Sequence, residues 1–306
     1  MNRRELFKTA GLAGAAAFLP SFSLSSSIPG DSNFRFCLNT STIKGQSQGL
    51  LENIEIASKA GYDGIELWVE DVRNYKAKGN SLSDLKKYIT DYGIRVENAI
   101  GFASCFVNDN EQRKAAMISM QSDMELMAEI GCTRIAAPPA GLKKEAMPDL
   151  NTYGERYRQV IDLGRKTGVM PQLEFWGASE TLCQFGQALM VASSANDAEV
   201  RILADAYHMF RGNSGFEGLK MVSGNLIEIF HVNDYPGSIE REKLTDADRV
   251  FPGDGIAPLK QIFSDLKKMG GTKVLSLELF NTAYWKLDPF EVASEGLKKM
   301  KALVSG

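Results

Sequence analysis

From Phe34 onward, two hydrophobic rhythms alternate along the chain. Short runs rich in β-branched and aromatic residues read as buried strands: FRFCLN, DGIELW, IRVENAIG, TRIAAPP, VMPQLEF, VRILADAY, LIEIFHVN and KVLSLELF. Between them lie longer stretches with apolar positions at helical spacing, among them LLENIEIASKAG, LSDLKKYITDYG and YGERYRQVIDLGRKTG. Several of these close on a glycine that suits a left-handed C-cap. Strands that alternate with helices form right-handed crossover units on a parallel sheet. Eight such units predict an α/β fold of one kind, a single-domain (β/α)8 barrel over residues 31–306. A doubly wound open sheet would carry a glycine-rich phosphate turn after its first strand, and the corresponding LNTSTIKGQS has no GxGxxG.

A barrel of this kind places its chemistry at the C-terminal ends of its strands. The last four strands each deliver a ligand-type side chain there: Glu174 in QLEFW, Asp205 and His208 in LADAYH, His231 in FHVND, and Glu278 in SLELF. Taken singly, each has an ordinary explanation, since a strand-end acid caps the following helix and a lone histidine packs in a core. Taken together they do not. Three carboxylates side by side at low dielectric repel one another unless a cation compensates. The set Glu174, Asp205, His231 and Glu278 suits one divalent metal ion, and these donor types do not choose among Mn, Mg, Co and Zn.

The chain has 306 residues and a net charge of −3, with no block of Lys or Arg. Nothing in it provides the electrostatic footprint of a nucleic-acid binder. Residues 1–30 differ in kind. NRRELFK sets Arg3 and Arg4 before the weakly apolar AGLAGAAAFLP and a Ser-rich linker, an order that resembles a twin-arginine export signal. The expectation is a periplasmic protein with no stable membrane insertion after export, because the apolar run is well short of the roughly 20 residues of a spanning helix. Cys37, Cys105, Cys132 and Cys183 form no CxxC pair and read as small buried hydrophobes.

The ordered set of Glu174, Asp205 with a histidine three residues later, His231 in HVND and Glu278 in LELF, with AGYDGIELW on the second unit, resembles the xylose isomerase-like TIM-barrel superfamily. That group of sugar isomerases and epimerases includes tagatose 3-epimerase and inosose dehydratase or isomerase relatives. The likeness runs from about Phe34 to the C-terminus. It implies that Glu174, Asp205, His231 and Glu278 hold the metal, and that Glu174 and Glu278 also serve as catalytic acid and base on opposite faces of a bound sugar. It further implies substrate contacts from three residues: Glu180, beyond Glu174; His208, on the carbonyl or a neighbouring hydroxyl; and Arg249, which precedes a PGDG turn. AP endonucleases of the same superfamily hold three zinc ions with a larger set of histidines, and this chain has two.

The chemistry implied begins with a C–H beside a sugar carbonyl, a weak acid whose proton a carboxylate removes when a Lewis acid stabilises the product. A neutral His208 would hydrogen-bond the oxygen that becomes negative. Isomerisation, epimerisation and β-elimination share that first step. An exported enzyme meets few phosphorylated sugars, so the expected partner is a non-phosphorylated small-molecule carbohydrate. A 3-keto-glycoside lyase is the alternative, and a non-catalytic carbohydrate-binding barrel is a remote one. Trp68, Phe102, Phe106, Trp176 and Tyr284 fall near strand ends, where they either stack on a sugar face or pack in the core. Homo-oligomer formation is left open.

Overall fold

All eight runs form strands in the computed structural model, which describes residues 34–46 and 49–305. They are β1 (Phe34–Asn39), β2 (Gly64–Trp68), β3 (Arg95–Ile100), β4 (Arg134–Ala137), β5 (Met170–Glu174), β6 (Ile202–Asp205), β7 (Ile229–Val232) and β8 (Lys273–Leu277). Each pairs with the next, and β1 pairs in parallel with β8, so the sheet closes into a barrel. The closing seam runs from Phe34 opposite Lys273 to Leu38 opposite Leu277.

The strands read as continuous apolar runs because both faces are covered. Inward, Cys37, Ile100, Ala136, Leu203, Ile229 and Val274 form one cluster inside the barrel. Outward, residues such as Leu38, Ile65, Leu173 and Phe230 join the main core, shared with the helices. Those helices are α1 (Leu50–Ala60), α2 (Val69–Ala77), α3 (Leu82–Asp91), α4 (Asn110–Glu129), α5 (Leu150–Thr167), α6 (Phe185–Ser194), α7 (Ala206–Arg211), α8 (Leu259–Met269) and α9 (Pro289–Ser305). Local chemistry sets their ends. Asp149 begins α5 by accepting the N–H groups of Asn151 and Thr152, and Gly168 ends it at φ 77°, a conformation that costs other residues a Cβ clash. Cys37, Cys105 and Cys132 are buried and unpaired, as small hydrophobes; Cys183 is also unpaired but only half-buried.

Two departures from a plain barrel prepare the site. Toward the carboxyl ends of the strands the interior turns polar, with Asn39, Glu66, Asn98, Gln172 and Ser276 all fully buried. After β7, residues 233–258 make a long excursion, and Asp234 folds it back. Its carboxylate accepts the N–H groups of Tyr235, Gly253 and Ala257, while its backbone forms a two-bond antiparallel bridge with Val250. That bridge delivers Arg249 to the barrel mouth. The export-signal reading falls on residues 1–30, which lie outside the described residues. Among the described residues, no helix is long and apolar enough to cross a membrane.

Candidate active site

Strand register brings the ligand-type residues together. Asp205 lies directly opposite His231, and His231 opposite Ser276, two residues before Glu278. Donor atoms of Asp205, His231 and Glu278 all fall within 4.8 Å of one another, and all three residues are buried. Glu174 is not part of that cluster; it pairs with Leu203, two residues before Asp205. It is still buried and feels the cluster's charge. Burial pushes its carboxyl up to about 8; His231 pulls against this, and the neighbouring Glu278 and Asp205 add to the rise.

Asp205 divides its work between two oxygens. Oδ1 accepts the His208 backbone N–H at 2.9 Å and so caps α7. Oδ2 faces the site, accepting from Asn233 Nδ2 at 3.1 Å and Arg249 Nη1 at 3.0 Å. The helix-cap explanation of a strand-end acid is therefore true of one oxygen and leaves the other available. Burial alone would raise this carboxyl, but the Arg249 guanidinium and the two histidines hold it well below the usual carboxylate range.

His231 is held from below. Its Nε2 lies 3.1 and 3.0 Å from the two oxygens of Glu66, a carboxylate with no exposure that also accepts from Asn39 Nδ2 at 2.7 Å, Asn98 Nδ2 at 2.7 Å and Ser276 Oγ at 2.8 Å. Burial works to raise the Glu66 carboxyl, and His231 with these donors outweighs it, leaving it lowered. The other ring nitrogen, Nδ1, sits 3.1 Å from Glu278 Oε2 and 3.6 Å from Asp205 Oδ2, yet makes no hydrogen bond among the described residues. A buried nitrogen without a hydrogen bond, aimed at two carboxylates, is the observation that tests the metal expectation, and the residues fit. Asp205, His231 and Glu278 would hold a divalent cation, with Glu66 fixing the ring behind its ligating nitrogen. Burial lowers the His231 ring's affinity for a proton, but the carboxylates of Glu278 and Glu66 more than reverse this and raise its pKa well above the usual value.

Arg249, although it comes from the long excursion after β7, is 1 % exposed. Its guanidinium reaches Asp205, Glu278 at 2.8 Å and Asp246 at 2.6 Å, between the rings of Tyr207 and Phe280. Part of the charge compensation anticipated from a metal thus comes from within the chain. Nη2 also lies 3.3 Å from His208 Nε2. His208 Nδ1 accepts the Gly177 N–H at 3.2 Å, which in the neutral ring leaves the proton on Nε2. Burial, helped by Arg249, lowers the His208 pKa and keeps the ring neutral. Gly177 is required here, because a Cβ would strike the His208 carbonyl.

These groups open into a cavity of about 480 Å³, walled by Trp68, Phe102, Trp176 and Phe280 and floored by His208, Arg249 and Glu278. Trp68 and Phe102 lie 5.3 Å apart between ring centres, and Phe102 and Trp176 6.2 Å. Of the other aromatic candidates, Phe106 is fully buried and stacked on Tyr153, and Tyr284 stacks on Phe251, so both pack rather than face the cavity. Glu180 is exposed on the loop after β5 and does not line the cavity. Sequence reasoning passed over Glu66, Asn39 and Asn233. Glu66 was legible in principle, as a carboxylate between Ile65 and Leu67 in a strand with no solvent face.

A family model described as xylose isomerase-like TIM barrel matches residues 54–303. The inosose isomerase of Bacillus velezensis is 30% identical over 280 residues, covering 89% of this chain and 97% of that protein. The 3-dehydroshikimate dehydratase of Pseudomonas aeruginosa is 23% identical over 82% of this chain and 39% of its own length. Among solved structures, the crystal structure of the IOLI protein with a binding zinc atom superposes with a TM-score of 0.80 at 27% identity, covering 89% of this chain and 98% of that one.

Proposed function

The chain belongs to the xylose isomerase-like TIM-barrel family, and from that premise we propose that it is a divalent-metal-dependent isomerase or epimerase of a non-phosphorylated sugar or cyclitol. It works by moving a proton at the carbon beside a carbonyl group. The observation that carries this reading is the buried cluster of Asp205, His231 and Glu278, with Glu174 beside it. The similarity to inosose isomerase and the zinc-binding relative support it from outside the chain.

The cation, when bound, supplies Lewis acidity next to the substrate carbonyl. The remaining work falls to side chains. Glu174 and Glu278 come from β5 and β8, so two carboxyl groups reach the site from separate strands and can divide proton removal and proton return. Glu174, buried where a carboxyl holds its proton to about 8, suits the donor's part. Neutral His208 carries its proton on Nε2, 3.3 Å from the Arg249 Nη2 donor, so an oxygen that gains charge between them would accept from both. The aromatic walls exclude water and give a sugar face something to lie on. His208 and Arg249 are the basic residues lining the cavity, and Arg249 is already engaged by three carboxylates, which favours a substrate without a phosphate. The paired Arg3 and Arg4 support export to the periplasm, where such substrates predominate.

Elimination from a 3-keto-glycoside is the second reading, favoured by the similarity to a dehydratase. One experiment separates the two. Metal-loaded protein is incubated in D₂O with free ketoses and 3-keto-glycosides and followed by NMR. Deuterium in a recovered sugar, lost in both Glu174→Gln and Glu278→Gln by about 10²–10⁴-fold, is the expected outcome. Release of the aglycone replaces isomerisation with elimination, and full turnover in either variant removes the two-glutamate scheme.

A further inference from the structure

The wall of Trp68, Ile100 and Phe102 has a second side. Beyond it lies another cavity, of about 430 Å³, that shares these three residues with the first. The rest of its lining is different in character, drawn from the segment after β1, from α2 and from the middle of α4, and it includes Lys44, Asp71, Arg73, Ser119 and Asp123. Both volumes lie in the range of small-molecule sites. The two cavities therefore stand on either side of one aromatic ridge, the first carrying the cluster of proton-transfer groups and the second carrying only groups that bind.

We propose that the second cavity is a subsite for a further hydroxyl-bearing ring, so that the substrate is a glycoside whose carbonyl-bearing ring lies in the first cavity and whose linkage crosses the Trp68–Phe102 ridge. This rests on the reading of the first cavity as the reactive one. Three features carry it. Phe102 is 48% exposed although it sits at the barrel mouth, which leaves a large apolar face uncovered between the cavities. Asp71 is only partly exposed, yet its carboxylate makes no hydrogen bond among the described residues. Its place in the first turn of α2 suits the helix dipole, but that interaction leaves both oxygens able to accept from vicinal hydroxyls. Lys44 holds its ammonium 3.5 Å from the centre of the Trp68 ring, on a residue that both cavities share, and so brings a donor to the ridge itself. An aromatic platform flanked by a carboxylate acceptor and an ammonium donor is what a neutral polyhydroxylated ring requires. Glu70 and Asp123 are both paired with Arg73, so the lining sets three acids against Arg73 and Lys44 and offers no surplus of positive charge to hold a phosphate or nucleotide.

The test is calorimetric titration of the full metal-loaded chain with glucose and with maltose, cellobiose and trehalose, sugars that bind without being oxidised first. At least one disaccharide binds about tenfold more tightly than glucose, the worth of one or two added hydrogen bonds to charged groups. Ser119→Trp, on the exposed face of α4 and lining only the second cavity, removes that advantage and leaves glucose affinity unchanged. Asp71→Asn reduces it several-fold and guards against misfolding of the bulkier variant. Equal affinity for glucose and all three disaccharides, or an advantage that survives both substitutions, overturns the subsite. Turnover of a keto-monosaccharide by the unaltered protein is measured separately. If that fails while the disaccharide preference stands, the proposed reaction falls and the subsite remains.

Discussion

The two ends of the barrel both bury charge, and they do so in opposite ways. At the amino end, Glu228 accepts from Arg134 Nε at 2.6 Å and Arg201 Nε at 2.7 Å, and Glu97 pairs with Arg134 and Arg35. Lys273, pushed down to about 8 by burial, donates to the carbonyls of Gly224 and Gly270. Each of these charged groups has a partner. At the carboxyl end, Glu66, Glu174, Asp205 and Glu278 crowd around one arginine and one histidine that keeps a nitrogen without a hydrogen bond. Buried charge alone therefore says little about function. An excess of one sign around an unsatisfied donor atom says much more, because folding gains nothing from leaving it so.

The largest effect that sharpens this contrast is at Glu66. Glu66→Gln keeps the volume of the side chain but removes the charge that holds His231 Nε2–H and leaves Nδ1 for a ligand. Affinity for zinc or manganese falls by about 10–100-fold, the usual cost of losing such a supporting carboxylate. Competition with a chromophoric chelator measures it. An unchanged affinity would mean that Asn39, Asn98 and Ser276 orient the ring without a charge, and Glu66 would then belong with the paired charges of the other end.

The same contrast explains what was legible in the sequence. The barrel was, because its strands alternate with helices and each strand's apolar run is bounded by polar turns. So were Asp205, His231 and Glu278, because a polar side chain at a strand end interrupts an apolar pattern and its position follows from the fold. Arg249 carried a weaker signal, since its entry depends on Asp234 closing a long loop with three backbone N–H bonds, a contact between residues far apart in pattern terms. Glu180 shows the reverse limit. The family resemblance implied a substrate contact for it, and the turn through Gly177 and Ser179 carries it outward to solvent. The polar layer beneath the cluster was hidden because Asn39, Glu66, Asn98 and Ser276 come from four strands, and only closure of the barrel shows that they meet.

A smaller effect follows from pH. In the metal-free protein both Glu174, at about 8, and His231 hold protons more tightly folded than unfolded. The folded state thus binds more protons, and stability falls as pH rises. For Glu174 the loss accumulates between its ordinary value of 4.5 and about 8; for His231 it begins near 6.5 and continues to its raised folded value. The lowered carboxyls of Asp205 and Glu66 act below this window, losing their contribution only as pH drops through the acid range. Melting temperature without metal should therefore decline from pH 6.5 to 7.5, below the range in which Lys273, lowered to about 8, acts in the opposite direction. Saturating zinc should flatten or reverse that decline, since cation binding favours the same deprotonated forms. A metal-free protein that gains stability over this interval would show that Glu174 and His231 are not the proton-binding pair.

The smallest effect is at the amino end, and its value lies in what it leaves alone. Glu228→Gln exchanges a carboxylate shared by Arg134 and Arg201 for a neutral amide that accepts through one oxygen. These side chains are between 18% and 26% exposed, so water partly replaces the lost partner. The cost should be about 1–2 kcal/mol, between that of an exposed pair and a buried one, or a fall of a few degrees in melting temperature for a domain of this size. Metal affinity and turnover should stay at the level of the unaltered protein, because the apolar cluster of Cys37, Ala136, Leu203, Ile229 and Val274 lies between the two ends and no hydrogen-bond chain joins them among the described residues. A loss of metal affinity in Glu228→Gln would mean that the two charged ends are coupled through the strands that carry them, and the division between a stabilising end and a reactive end would have to be given up.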